Sequence, residues 1–344
     1  MAFFLQLLGG IVLSLLILAA LAYFYFKRKF GKYLDLDGNV ASGEPLHIHL
    51  NEEIEPDWLD EKSVKAAITE LEGLGFQKGK SYNIHEMEGV ALLVFFKAPL
   101  ALVLYKHNIV GHWVDIVVDE KEGKEYTFSN AAMGSQMENR PESIKHYYPE
   151  ASISDVCAEA EKLLSTIGND FIDINEDNFR EYFETAYKKD ISFKVRKGGV
   201  SFKEFVATSN EAPFNSSDET VKEAFLEYKE QELDQWHEAA LEEYRELENI
   251  EEEKFYDLEH SFLIVPFKTH SPAFIQYLLG RGFVTEQQEK QLMKAAEKVS
   301  DVNKLFERMN EMLSPELRAT FVKDIDYPLP IKLFKMSTKM LDRY

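Results

Sequence analysis

The sequence predicts an α+β protein: an N-terminal transmembrane helix, a helix plus antiparallel β-meander module, and a mostly α-helical C-terminal region. Three observations predict it. Residues 2–26 carry no charge, and Gln6 and Ser14 are the polar exceptions in an apolar run. Apolar runs at 89–98, 100–105, 113–120 and 126–130 follow one another too closely for crossover helices, so the strands must pair antiparallel. From Ser152 onward apolar residues recur at helical spacing instead.

The first element is long enough to span. As a helix, 25 residues run about 37 Å, against a hydrocarbon core of about 30 Å. Tyr23 and Tyr25 close the run and suit the aromatic belt of a membrane interface. Lys27, Arg28, Lys29 and Lys32 follow at once. A cleaved signal peptide would place its positive charge before a shorter apolar core, and this order is reversed here. Cations after the span and none before it put the remaining chain in the cytoplasm by the positive-inside rule. The expected location is therefore a membrane, single-pass, with a cytoplasmic C-terminal domain. Asn215-Ser216-Ser217 matches a glycosylation sequon, which has no acceptor role on that side.

Composition narrows the function classes. The 344 residues hold 39 Lys and Arg against 60 Asp and Glu, a formal charge of −21. Nucleic acid is excluded as the main partner, because phosphate binding needs a basic surface. Hydrophobic residues at 45% and aromatics at 13% exclude a disordered chain. Cys157 is the single cysteine, so no intrachain disulfide and no Cys-rich zinc site can form.

Beyond a basic juxtamembrane segment (domain 1–32), residues 33–56 read as a polar connector with a short strand at 46–50. Pro56 opens a helix at about Asp57, in which Val64, Ala67, Ile68, Leu71 and Leu74 share one face until Gly73 and Gly75 stop it. The strand at 89–98 is apolar on both faces, as in a sheet covered on both sides. In the strand from Trp113, residues Val114, Ile116 and Val118 face one way; Trp113, Asp115, Val117 and Asp119 face the other. A meander of four or five strands results. Ser152 caps the next helix, where Ile153, Val156, Cys157, Ala160, Leu163, Leu164 and Ile167 form a stripe. Residues 175–188 form another helix, with Phe179, Tyr182, Phe183, Ala186 and Tyr187 inward; 194–199 reads as a short extended piece and turn. The α+β module with its following helices thus occupies 57–207, and 208–217 is the linker.

Residues 218–344 form the acidic helical region. Between 218 and 259 there are 17 acids against 4 Lys or Arg. Leu226, Leu233, Ala240 and Leu247 recur every seven residues, so one long helix is expected. Its stripe either packs on its own protein or meets another chain as a coiled coil. Ser271-Pro272, the capping box Thr285/Gln288 and Ser314-Pro315 start shorter helices. Pro328 and Pro330 introduce a last helix, 331–344. At 100° per residue it gathers Lys332, Lys335, Lys339 and Arg343 on one side, a docking face for the acidic helix or a lipid surface.

The chemistry-bearing candidates are few. His107 and His112 flank a four-residue turn in which they would face each other, a pair able to hold a metal ion with a third ligand. His47 and His49 share one face of the strand at 46–50. Asp115, in an apolar strand, is either a buried carboxylate with a raised pKa or a residue of an exposed face. No phosphate loop, nucleophile elbow, zincin motif or dinucleotide fingerprint occurs. No catalytic residue is identified and no cofactor is implied. The reading is a membrane-anchored binding or scaffold protein with an unidentified protein partner. The alternative is a membrane-tethered enzyme, with a metal at the His107/His112 hairpin.

Overall fold

A computed structural model describes residues 45–341 apart from 88, 109–110, 122, 133, 168–169, 210–218, 297–300 and 327–329. The predicted span at 2–26, its interfacial Tyr23, Tyr25, Lys27, Arg28, Lys29 and Lys32, and Arg343 lie outside the described residues. Among the described residues no helix is long and apolar enough to cross a membrane.

The fold is α+β. Seven strands succeed one another in chain order across one sheet: β1 (Leu50–Glu53), β2 (Gln77–Ile84), β3 (Val90–Lys97), β4 (Leu100–His107), β5 (Gly111–Asp119), β6 (Glu125–Ser129) and β7 (Ser143–Tyr147). All neighbours pair antiparallel except β7, which runs parallel to β6. The meander therefore has more strands than the four or five expected. β1 begins where the predicted strand at 46–50 ended. A 3-10 turn, Asp57–Asp60, precedes α1 (Lys62–Gly73), which buries Val64, Ala67 and Leu71 and hands over to Gly75 at φ 86°.

Both faces of the sheet are covered, as the unbroken apolar run of β3 requires. Leu93, Phe95, Leu102, Leu104, Val114 and Ile116 point to α1 and to α2 (Ile153–Leu164), which carries buried Val156, Cys157 and Ala160. Ser152 and Asp155 close a capping box at its start. Leu92, Val94 and Val103 point to the opposite side, under α3 (Phe179–Lys197).

The α3 helix links two cores. Phe179 belongs to the sheet's core, while Ile191 and Val195 belong to a second core built by the C-terminal region. The helix continues through 194–197 and ends on Gly198 in the left-handed region, φ 98°, so the predicted extended piece is helical. Ile191 and Val195, an i, i+4 pair, carry the apolar stripe one turn further and explain why.

The second core lies among α5 (Glu219–Leu247), α7 (Ser271–Gly280), α9 (Val302–Met312) and a three-stranded antiparallel sheet. Two short helices, α4 (Phe202–Ser209) and α6 (Glu252–Glu259), flank α5, and α8 (Glu286–Ala296) follows α7. The sheet has the order β8 (Phe262–Pro266), β10 (Ile331–Lys335), β9 (Thr320–Ile325), and α10 (Thr338–Leu341) ends the described chain. Two expectations are overturned here. The acidic segment is broken at Asn249, φ 51°, into α5 and α6 rather than being one helix. Its stripe packs within the chain, with Leu233, Trp236 and Ala240 buried, while Leu247 stays half exposed.

The second correction concerns 331–344, whose first half is a strand. Ile331 and Leu333 alternate inward, with Leu333 opposite Ile264 on one side and Lys323 on the other. A two-residue apolar repeat between two strands buries Ile331 and Leu333 on one face while β8 and β9 pair the backbone on either side, with an irregularity in the β9 register at Leu333/Phe334. Lys332 and Lys335 thus stand on β10 and Lys339 on α10, and the proposed basic docking helix does not form.

Candidate functional site

Strand alternation places Asp115, Val117 and Asp119 of β5 on the face covered by α3. Val103 of β4 pairs with Asp115. Ser129, Thr127 and Glu125 of β6 stand opposite Asp115, Val117 and Asp119, and Lys145 of β7 stands beside Thr127. Over them α3 lays Phe179, Tyr182, Phe183, Ala186, Tyr187, Asp190, Ile191 and Lys194, a stripe at i, i+3, i+4, i+7. Sheet and helix flank a half-open chamber of about 250 Å³, bordered at one side by Arg140 from the β6–β7 connection.

Two of the cations lining the chamber, Arg140 and Lys145, are held by its acids. Arg140 donates through Nε to Asp190 Oδ1 at 2.6 Å and forks onto both oxygens of Glu125. Lys145 Nζ donates to Asp190 Oδ2 at 2.8 Å, and Lys189 Nζ donates to Glu125 Oε1 at 3.1 Å. Burial alone would raise the pKa of Asp190, but Lys145 and Arg140 outweigh it and hold the carboxyl below its usual range. Burial likewise works against the Lys145 ammonium, and Asp190 more than restores it.

Asp115 and Asp119 have no cation within ion-pair distance among the described residues. Asp119 is 3% exposed. Its Oδ2 accepts from the Tyr182 hydroxyl at 2.9 Å, and its Oδ1 is buried with no hydrogen-bond partner. Oδ1 of Asp115 is in the same state. Burial pushes Asp115 up to about 6, against the pull of the Ser129 hydroxyl, Lys145 and the Tyr105 hydroxyl. Burial and then the Glu125 charge push Asp119 up to about 6, against Tyr182. Tyr105 and Tyr182 are in turn held well above the ordinary tyrosine value by burial and by Asp115 and Asp119 respectively. Two perturbed carboxylates lining one cavity mark the candidate site, and each keeps a buried acceptor atom whose lack of a partner costs about 1–3 kcal/mol.

The histidine candidates do not assemble. His107 pairs with Gly111 and Lys106 pairs with His112, so three residues separate the strand ends instead of four. That slip of one residue sends His107 and His112 to opposite faces of the sheet. Among the described residues no group of three or more metal-ligating side chains comes together. His49 precedes β1, is exposed and bonds to Glu86, while half-buried His47 has its pKa lowered by burial first and by His49 second. His237, which the heptad reading passed over, is fully buried on α5. Its Nδ1 meets the Tyr277 hydroxyl at 2.7 Å, and that oxygen accepts from Ile264 N–H at 2.9 Å. Burial, and behind it Arg281, drives its pKa down to about 3, so it stays neutral and helps fix α7 on α5.

Part of the chamber was visible in the strand alternation and in the aromatic stripe of α3. Arg140, Lys145 and Asp190 were not, since nothing local announces that β7 returns parallel to β6. No family model, curated protein or solved structure matches the chain. The fold and the cavity therefore define the class by themselves: an α+β protein with a small half-open chamber, lined by apolar and charged side chains, between its sheet and a covering helix.

Proposed function

We propose that this is a membrane-tethered, non-catalytic binding protein whose ligand is a small polar molecule held between the sheet and α3. The single observation that carries the reading is that Asp115 and Asp119 both line one cavity and neither is paired to a cation among the described residues. A chamber of about 250 Å³ lies just below the usual range of ligand pockets, so the ligand is small. The tether rests on the uncharged run 2–26 and the cations behind it. Packing of the α5 stripe within the chain leaves less apolar surface there for a protein partner, which favours a small ligand.

The test is native mass spectrometry of the full chain in detergent, with Ala186→Trp as the comparison. Ala186 lines the chamber, so an indole there fills it. A small molecule retained by the wild type and lost from the filled variant supports the reading. A filled variant that is more stable and loses no ligand would mean that the chamber is only an imperfection of packing. Fractionation of a chain beginning at residue 45 tests the tether: it should leave the membrane pellet.

A further inference from the structure

The α8 and α9 helices leave a groove between them that shares no lining residue with the chamber. Its floor is Phe283, Val284, Leu305 and Met309, each between 3% and 6% exposed. Leu292 of α8, with Met312 and Leu313 at the end of α9, forms its walls. Leu305, Met309 and Met312 stand at i, i+4 and i+7, so one helical stripe supplies much of the apolar lining. Lys304 and Arg308, also at i, i+4, run beside that stripe and are exposed, which puts both cations at the mouth. The volume is about 430 Å³, inside the usual range of small-ligand pockets. We propose that this groove binds a free medium-chain fatty acid, with its carboxylate on Arg308 and Lys304 and its alkyl chain along Leu305, Met309 and Met312.

Charge sets the head group. Among the described residues no Asp or Glu lines the groove, although the whole chain carries a formal charge of −21. Of the acids on the two helices, Glu289 accepts from Gln276 Nε2 at 2.9 Å, and Glu286, Glu307 and Glu311 lie off the groove. Lys304 Nζ stands 3.4 Å from Asp301 Oδ2, an exposed contact that costs little to exchange. Arg308 has no ion pair among the described residues. Its planar guanidinium receives a carboxylate through two parallel N–H donors, a match that an ammonium or an alcohol cannot make.

Shape sets the tail. A buried apolar floor favours methylenes taken out of water, so each added carbon strengthens binding until the groove is filled. From Lys304 to Leu313 the α9 wall runs about 13 Å at about 1.5 Å per residue, the span of an extended chain of about eight to twelve carbons. Met309 and Met312 are unbranched and polarizable, and they adapt to such a chain. A partner helix would need an open trough with anchors over several turns, whereas among the described residues α8 contributes Gln288 and Leu292, one turn apart.

Photolabelling of the full chain in nanodiscs of neutral phosphatidylcholine tests the proposal, because detergent would compete for an apolar groove. Decanoate carrying a diazirine near its methyl end is photolysed with the protein at pH 7.5, and labelled peptides are mapped by mass spectrometry. Labelling should saturate and fall within 283–292 and 302–313. Unlabelled decanoate should compete at least tenfold better than decanol or decylammonium at matched concentration in the discs. Among saturated acids of four to sixteen carbons, competition should stop rising near about twelve. Arg308→Glu should weaken decanoate at least tenfold and leave decanol unchanged, and Arg308→Lys should recover most of the loss. Arg308 is exposed, so these exchanges leave the core intact. Leu292→Trp fills the groove and should abolish labelling; if it unfolds, the Arg308 series decides alone. Ala186→Trp, which fills the chamber instead, should leave the labelling as it is. Labelling that does not saturate, falls elsewhere or is untouched by Arg308→Glu overturns the proposal. Equal competition by decylammonium also overturns it, since the groove is then a bare apolar surface. So does an absence of labelling while phosphatidylglycerol discs protect 302–313 from hydrogen exchange, since the cations then meet a lipid surface.

Discussion

Replacing Asp119 by Asn should stabilise the protein at neutral pH. In the fold this carboxyl titrates at about 6, against an ordinary value of 3.8, mainly because it is buried. A rise of roughly two units corresponds to about 3 kcal/mol of penalty on the ionised form. Above pH 6 the group is charged both in the folded and in the unfolded chain, so the folded state bears the full penalty. Below about pH 4 it is neutral in both, and the penalty vanishes. Stability attributable to Asp119 is therefore lost as pH climbs from about 4 to 6. Asn removes the charge but places an amide donor where Oδ1 now lacks a partner, at about 1–2 kcal/mol. The net expectation is a gain of about 1–2 kcal/mol at pH 7.5, a few degrees in melting temperature. Differential scanning fluorimetry of wild type and variant at pH 7.5 and pH 4 reads it. The reasoning is refuted if the variant melts lower at pH 7.5, or if the wild-type-to-variant difference is the same at both pH values.

Three further perturbations probe the rest of the fold. Lys229 is 1% exposed and its Nζ donates to Gly198 O at 2.7 Å and to Glu232; Lys229→Ala should cost about 3–5 kcal/mol by stranding Glu232, and a loss below about 1 kcal/mol in thermal melts would contradict the burial. Gly199 sits at φ 75°, where a Cβ would overlap the Glu232 carboxylate that accepts from Val200 N–H, so Gly199→Ala should lower the melting temperature by several degrees. Removing residues 331–344 takes away the central strand β10; circular dichroism should show the second core unfolded, and an unchanged spectrum would disprove its place between β8 and β9.

Cys157 illustrates what local pattern can settle. It lies in a helical stripe whose members Val156 and Ala160 are also buried, and burial pushes its thiol up to about 12. Slow reaction with thiol reagents in the native state is the expected outcome. The same kind of signal located β3 to β6, α1, α2 and the inward face of α3, because apolar repeats of two and of 3.6 residues report which face meets a core.

The tail shows where pattern alone is ambiguous. Leu333, Phe334, Met340 and Leu341 fit a helical face, Ile331 and Leu333 fit the two-residue repeat of a strand, and only the arrival of β8 and β9 on either side decides between them. The hairpin at 107–112 shows the same limit at smaller scale, since one residue of register decides whether His107 and His112 meet. The chamber depends still more on three dimensions. Asp115 and Asp119 were readable as one face of an apolar strand, but their burial, and hence their raised pKa values, follows from α3 closing over that face. Arg140 and Asp190 are 50 residues apart and meet through the parallel return of β7. Sequence by itself therefore determined the local periodicities, the charge balance and the apolar N-terminal run. Tertiary structure decided pairing, register and which charges are left without partners, because those depend on contacts between segments far apart in the chain.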